Sequence, residues 1–418
     1  MLLRPKLFRF RFKYQASPAL KGALYYFFFF AGTGAFFPFF SSHLHELSLS
    51  SQKIGLIYAL LPLMGLFVSP SISMLVDYKA WRVKTLRLGL LLMMLSALLL
   101  SQTQDFKLIF LFFALFSLMN SPVGPISNTI ISQLATRHHV EFGRLRLWGS
   151  ISFASSSLIC GYLWRIWGYD LMFVVVAMML SLAFLVSLSF EEPQMAAKLV
   201  QENDPQSDPK SDLESDLKSS SKSRLLKLWN SLEHKAIFLT LAASSFLIGA
   251  ALYIDAVYAG MYMERLGGSS LLVGFLFATT AFAEIPGMRY VDKLLKRFGN
   301  LQSLLLAYGF IAASYIFSAF AIHPLMLILA YLIKGSGFGL WMVLTIKLID
   351  RLAPYHIATT LQSLITVAAV ASAQLIASPL AGLLASYNLR LIYLLSLLLS
   401  LAAFVLLFWR SQSFAGNS

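Results

Sequence analysis

Residues 86–120 read LRLGLLLMMLSALLLSQTQDFKLIFLFFALFSLMN, two apolar runs separated by a short polar stretch that ends in Asp105. Each run approaches the roughly 20 apolar residues that a helix needs to cross a bilayer. The pattern recurs through a chain of 418 residues, of which 58% are hydrophobic and 12% charged. A mean hydropathy of +0.72 excludes a soluble globular protein, a disordered chain and a nucleic-acid binder, because no aqueous fold buries so much apolar surface.

A window of about 20 residues predicts membrane-spanning helices along the whole chain. The twelve predicted spans cover 22–42, 54–76, 86–104, 107–134, 147–166, 169–190, 236–262, 270–291, 301–321, 325–349, 357–386 and 389–409. Prolines within them, such as Pro38 and Pro70, predict kinks. The aromatic run at 25–30 is interpreted as lipid contact or helix packing. The sequence therefore predicts an all-α integral membrane protein in a lipid bilayer.

The cations of the chain lie mostly on one side of this pattern. If the N-terminus is cytoplasmic, 27 of the 33 Lys and Arg lie on the inner side, five on the outer side, and Lys334 within a span. Short loops rich in Lys and Arg remain in the cytoplasm. Both termini are therefore predicted to be cytoplasmic, in a multi-pass protein of the inner (plasma) membrane. The net charge of +14 encodes this orientation, and no nucleic-acid partner is expected.

A polar segment divides the chain between the sixth and seventh spans. Its middle is rich in Ser, Asp and Lys, which is typical of a flexible linker; a regulatory phosphorylation segment is the alternative. The predicted regions are a cytoplasmic N-terminal segment (1–21), an N-terminal six-helix bundle (22–190), a cytoplasmic linker (191–235), a C-terminal six-helix bundle (236–409) and a cytoplasmic tail (410–418).

The two halves are weakly similar in sequence. SQKIGLIYALLPL (51–63) precedes SLLVGFLFATTAF (270–282) by 219 positions, which places Gly55 on Gly274. A repeat in one orientation indicates two bundles related by a pseudo-two-fold axis along the membrane normal. Such bundles enclose a cleft and give alternating access by rocking about it. Chance similarity between apolar helices is the alternative.

Three stretches resemble a known family. SMLVDYKAWRVK (73–84) resembles the loop motif of the major facilitator superfamily. GAFFPFFSSHLHELSLSSQKIGLI (34–57) and EFGRLRLWGSISFA (141–154) are similar to its lactose-permease-like branch, which includes phenylpropionate-type and nucleoside-type proton symporters. The resemblance implies a twelve-helix transporter in which Asp77 and Arg82 latch the two halves in one conformation. We expect it to function as a monomer.

Ionisable side chains within spans are costly and therefore mark candidate functional sites. Asp255, Glu284 and Lys334 lie well inside predicted spans. At 1.5 Å per residue, Lys334 lies at a depth between the two carboxylates, within about 6 Å of the level of each. A lysine–carboxylate pair that breaks when the acid is protonated is a proton-coupled switch. A permanent ion pair that fixes helix packing is the alternative.

The resemblance implies roles for these charges. Glu284 matches an acid that lactose-permease-like proteins use in substrate binding and coupling, and Lys334 falls at the position of a coupling histidine. Gly337 stands where lactose permease has its proton-carrying glutamate. A proton site in this chain is therefore expected at Glu284 or Asp255.

Arg146 matches an arginine that contacts sugar in lactose permease, with Asn128 at the position of its acidic partner and Phe153 at that of a stacking tryptophan. An arginine facing asparagine keeps its positive charge, which suits an anionic group on the substrate. Phe153 is suited to stacking on an aromatic or sugar ring. The residues favour an organic anion or aromatic solute over a neutral galactoside. An arginine that extends to the headgroups is the alternative.

No catalytic motif, cofactor motif or metal-ligand motif is found in the sequence, and Cys160 is its single cysteine. We therefore expect no enzyme activity, no cofactor and no bound metal, with a proton gradient as energy source. The main hypothesis is secondary active transport of a small organic solute (an aromatic or organic acid, nucleoside or sugar) in proton-coupled uptake. The alternatives are proton-driven efflux of a drug, siderophore or metabolite, and a transporter-like sensor or scaffold.

Overall fold

The computed structural model describes residues 18–79, 81–192, 235–352 and 364–415. Within these ranges the chain is helical and contains no strand. Most of the predicted N-terminal segment and linker lie outside the described residues. The predicted region boundaries therefore stay predictions.

The first half begins with two interrupted spans. Its helices are α1 (Pro18–Phe36), α2 (Phe40–Glu46), α3 (Ser51–Phe67), α4 (Ser69–Lys79), α5 (Arg82–Leu100), α6 (Phe106–Arg137), α7 (Phe142–Trp167) and α8 (Met172–Ser187). A turn containing Pro38 separates α1 from α2, and α3 and α4 are bent by 41° just before Pro70. Proline removes a backbone donor and clashes with the preceding turn, which accounts for both interruptions.

The second half contains one helix that runs through two spans. Its helices are α9 (Lys235–Arg265), α10 (Ser270–Ala319), α11 (Pro324–Leu352), α12 (Val370–Tyr387) and α13 (Arg390–Ala415). A π-helical turn, Leu364–Ala369, leads into α12. Gly299 has a φ of +77° and bends α10 into two arms. A residue with a Cβ is strained in this left-handed region, so glycine suits the bend.

The helices account for the predicted number of spans. Eight described helices are long and apolar enough to cross a membrane, or nine if the bent pair α3 and α4 is one span. Helix α10 contributes a second arm, α8 is a shorter apolar helix, and α7 is a 26-residue helix that carries three arginines. The prediction of twelve membrane-spanning helices in an all-α chain is confirmed.

The two halves meet through the helix pairs α3–α12 and α7–α10. Glycines allow the backbones to touch at both contacts. A Cβ on Gly55 would lie only 2.6 Å from the carbonyl oxygen of Ser378, and one on Gly274 would clash with the carbonyl oxygen of Ser157. Ser378 Oγ also donates a 2.8 Å hydrogen bond to the carbonyl oxygen of Gly55. Small residues of this kind let helix backbones approach closely in membranes.

These contacts lie at one end of the molecule, which we call the closed end and which carries Ser51 and Ser270. The opposite, open end carries the basic residues Lys79 and Lys293. There α4 packs on α3, α5 and α6, and α11 packs on α9 and α10, each within its own half. A Cβ on Gly124 of α6 would meet no atom within 4 Å. In the described residues the contacts named above between the halves thus lie toward the closed end, and we expect the cleft to open at the end that the cation distribution predicts to be cytoplasmic.

We expect Gly274→Val to shift the halves away from this arrangement, because the new side chain clashes with the backbone at Ser157. Overpacking of this kind costs about 1–3 kcal/mol, which corresponds to a roughly 5- to 150-fold change in the ratio of two conformations. Spin labels at Lys53 and Tyr387, exposed positions at the closed end, should report a longer distance by double electron–electron resonance.

The matched control is Gly124→Val, because the space beside Gly124 is open. It should leave the distance between the labels unchanged. Identical distance distributions in the wild type and in Gly274→Val would contradict the role assigned to the closed-end contact.

Candidate functional site

The guanidinium of Arg146 lies against aromatic rings of α1. Its central carbon is 4.2 Å from the centroid of the Phe30 ring and 5.6 Å from that of Tyr26. Tyr26 and Phe30 are four residues apart, so they share one face of α1. Arg146 is half-buried. The position of Arg146 in the cleft stays a prediction, beside the alternative in which the arginine extends to the headgroups.

Tyr26 connects Arg146 to Asn128. The hydroxyl of Tyr26 donates a 2.7 Å hydrogen bond to Oδ1 of Asn128. Tyr26 is buried, whereas Asn128 is exposed on the first-half wall of the cleft. The interpretation of run 25–30 as helix packing agrees with the burial of Tyr26, whose side chain also contacts Arg146 and Asn128. The spacing of four residues between a tyrosine and a phenylalanine was the available signal.

Phe153 lies half-buried two turns beyond Arg146 on α7. Its backbone packs tightly on α1, since a Cβ on Gly34 would lie 2.5 Å from the carbonyl oxygen of Phe153. This close approach of α1 and α7 keeps Arg146 beside Phe30. The assignment of Phe153 as a stacking residue stays a prediction.

Asp255 and Lys334 form a buried ion pair. Nζ of Lys334 binds Oδ2 of Asp255, and the hydroxyl of Tyr331 donates to Oδ1. The same Nζ lies 3.0 Å from the centroid of the Tyr331 ring. Asp255 is 0% exposed and Lys334 5% exposed. Both carboxylate oxygens are thus bonded, and Tyr331, which the sequence did not single out, completes the group.

Glu284 lies half-buried on α10 and interacts electrostatically with Arg146 of the first half and Lys334 of the second. A Cβ on Gly339 of α11 would clash with the backbone of Glu284. Because α10 and α11 pack this closely, Glu284 and Lys334 keep a fixed relation. Arg146 belongs to the other half, so this electrostatic interaction acts between the two halves.

The predicted latch residues lie near the open end. Asp77 belongs to α4, but its side chain lies outside the described residues, and Arg82 is the first residue of α5. At the equivalent position of the second half, Asp292 forms an exposed ion pair with Lys347. The latch role of Asp77 and Arg82 stays a prediction.

No group of three or more His, Cys, Asp or Glu in the described part of the chain could hold a metal ion.

The MFS_1 like family matches residues 20–408. The maltose permease of Geobacillus stearothermophilus is 27% identical over 340 residues, which cover 81% of this chain and 80% of the relative. A probable 3-phenylpropionic acid transporter of Escherichia coli (strain K12) is 26% identical over 290 residues, 68% of this chain and 70% of the relative. The crystal structure of the nucleoside transporter NupG superposes with a TM-score of 0.77 at 14% identity, covering 96% of this chain and 99% of that chain. The predicted fold of two six-helix bundles is confirmed.

We expect Lys334→Met to destabilise the second half, because it leaves the carboxylate of Asp255 buried without a cation. Breaking a buried pair by removing one partner costs about 3–5 kcal/mol, so the melting temperature in detergent should fall clearly. The double variant Asp255→Asn with Lys334→Met should recover most of the loss, since neither charge remains.

Lys347→Met is the matched control, because it removes a lysine from an ion pair whose side chains are exposed. It should change the melting temperature little. A Lys334→Met protein as stable as the wild type would contradict the prediction that the buried pair stabilises the second half.

Proposed function

Since the chain belongs to the MFS_1 like family and is a membrane transporter of the major facilitator type, we propose that it takes up a small organic solute together with protons by alternating access. The observation that carries this proposal is the placement of Arg146 and Glu284 on opposite halves, at the wall of a cleft that is open at one end. In this proposal the open end faces the cytoplasm, as the cation distribution predicts, and both termini lie on that side of the inner membrane.

The position of the two charges links binding to movement of the halves. Arg146 and Glu284 lie on α7 and α10, whose contact at Ser157 and Gly274 holds the closed end. Along their helices both charges lie about 15 Å from that contact. A solute held between them touches both halves, so its binding free energy depends on how far apart they are.

Glu284 is the proton site in this proposal, and Asp255 with Lys334 is a fixed pair. Both oxygens of Asp255 are bonded within the protein, and its side chain is shielded from water. Glu284 is half-buried, and the described residues provide no hydrogen bond to its carboxylate. A proton entering through the cleft therefore reaches Glu284 more readily.

The proposed substrates are aromatic or organic acids, nucleosides or sugars. Phe30 and Phe153 offer ring faces for stacking, and Arg146 offers planar, bidentate donors. The names of the relatives and of the structural neighbour refer to a sugar, an aromatic acid and a nucleoside, which supports a compact solute with a ring. In this proposal one chain binds and transports the substrate without a second copy.

We expect Arg146→Gln to weaken substrate binding at least tenfold, because a charge-assisted contact is lost. A thermal-shift screen of 3-phenylpropionate, maltose and uridine on purified protein identifies the solute, and titration measures its affinity. Arg144→Gln is the matched control, since Arg144 lies two residues away in an exposed pair with Glu141. Equal affinities in both variants would contradict the assignment of Arg146.

Uptake with protons should acidify the interior of proteoliposomes that contain a pH-sensitive dye when the solute is added outside. We expect Glu284→Gln to abolish this acidification, because the variant cannot carry a proton. The exposed Glu141→Gln variant should behave like the wild type. Acidification that persists in Glu284→Gln would contradict the proton assignment, and the absence of flux for every solute that binds would contradict transport.

A further inference from the structure

We infer that the cleft is built to bind a monocarboxylate together with one proton, with Tyr26 as the residue that positions the Asn128 amide beside Arg146. The carboxylate site deepens the function proposed above, because it names the substrate class of the same cleft. Two independent features carry it: the hydrogen-bonding character of the first-half wall and the balance of charge around the cleft.

The wall formed by Arg146 and Asn128 presents mainly donors. A guanidinium has no acceptor, and Oδ1 of Asn128 already accepts the hydrogen bond of Tyr26. Both hydrogens of the Asn128 nitrogen are left for the cleft, because no acceptor among the described residues binds them. A carboxylate, which only accepts hydrogen bonds when ionised, matches a guanidinium and an amide nitrogen side by side.

Arg146 itself favours this orientation of the asparagine. Its guanidinium lies over the Tyr26 ring, 5.6 Å from the ring centroid. A nearby cation attracts the hydroxyl oxygen and repels the hydroxyl hydrogen, so the Tyr26 hydrogen points away, toward Oδ1 of Asn128. The side-chain amide is thereby held with its nitrogen available. Tyr26 acts through Asn128 and is therefore a positioning residue.

The four charged side chains described above within the spans sum to zero, because Arg146 and Lys334 are balanced by Glu284 and Asp255. A net charge within the membrane-spanning part of a protein is expensive, which favours this balance in the absence of a solute. A bound monocarboxylate adds one negative charge, and one proton on Glu284 restores the balance.

Glu284 is the group that takes this proton. The charged groups that face it are Arg146 across the cleft and Lys334 from α11. Lys334 already forms an ion pair with Asp255, and a substrate carboxylate would form one with Arg146. Once both cations are engaged, an ionised Glu284 has no free counter-charge, whereas a neutral Glu284 needs none. A neutral solute such as a sugar adds no charge beside Arg146 and Glu284 and gives no such reason for proton uptake.

The test is a binding measurement with matched acid and amide probes. Purified protein in weakly buffered solution with a pH indicator is titrated with 3-phenylpropionate, benzoate and their primary amides across a pH series. The acids should bind at least tenfold more tightly than the amides, and one proton should be taken up per acid bound. Glu284→Gln should still bind the acids but take up no proton, whereas Glu141→Gln should match the wild type.

Two further variants test the wall. Asn128→Asp adds a negative charge at nearly constant shape, and it should remove the preference for acid over amide. Tyr26→Phe frees the Asn128 amide to rotate, and it should lower the ratio of acid to amide affinity by roughly three- to tenfold. Tyr25→Phe is the control, because the Tyr25 hydroxyl does not bind Asn128. A purely structural role of Tyr26 would lower both affinities together and leave their ratio unchanged.

Three results would overturn the carboxylate site: no monocarboxylate binds, the amides bind as well as the acids, or acids bind without proton uptake. In proteoliposomes, net uptake of the acid should follow a pH gradient and ignore a potassium–valinomycin potential, because the loaded cleft is neutral. Uptake driven by the potential would also overturn the inference. Proton-coupled uptake of maltose or uridine alone would leave the transport function standing and remove the carboxylate site. Acid binding with proton uptake but no flux would leave the carboxylate site standing and contradict the transport function.

Discussion

Contact between bare backbones at the closed end is the constraint on which the rest of the molecule depends. Where Gly55 meets Ser378 and Gly274 meets Ser157, the chain has no room for one additional carbon atom. Helices that touch at one end and carry larger residues elsewhere diverge toward the other end. The cleft is thus a consequence of where the glycines lie on α3, α7, α10 and α12.

The low dielectric constant of the bilayer interior determines where charged side chains are tolerated inside the molecule. An isolated ion in a bilayer interior is unstable, so each charged side chain needs a partner. Asp255 and Lys334 satisfy each other, with Tyr331 as the third member of the group. Arg146 and Glu284 lie on opposite halves and interact electrostatically, and in the proposed function they are the charges that meet the solute. The proposal thus distinguishes a fixed, buried ion pair from two charges with access to the cleft.

Hydropathy and the distribution of cations predicted the spans because the bilayer requires a hydrogen-bonded helix wherever the chain crosses it. The same information gave the depth of Lys334 from the rise of a helix. It could not give the rotation of a helix, which depends on packing against its neighbours. Depth alone therefore allowed Lys334 to contact either Asp255 or Glu284, and the structure shows the contact with Asp255. Tyr26 was missed because an aromatic side chain suits a lipid-facing surface and a cleft wall equally well.

The tight packing of α10 on α11 has a consequence for how the molecule registers its own conformation. A Cβ on Gly335 would lie 2.5 Å from the carbonyl oxygen of Thr280, and Gly339 touches the backbone of Glu284. The two helices are therefore expected to move as one body, so that in the proposed rocking motion the field of Lys334 at Glu284 stays constant. The field of Arg146 at Glu284 then varies with the distance between the halves. In this proposal the carboxylate of Glu284 experiences the width of the cleft as a change in electrostatic potential.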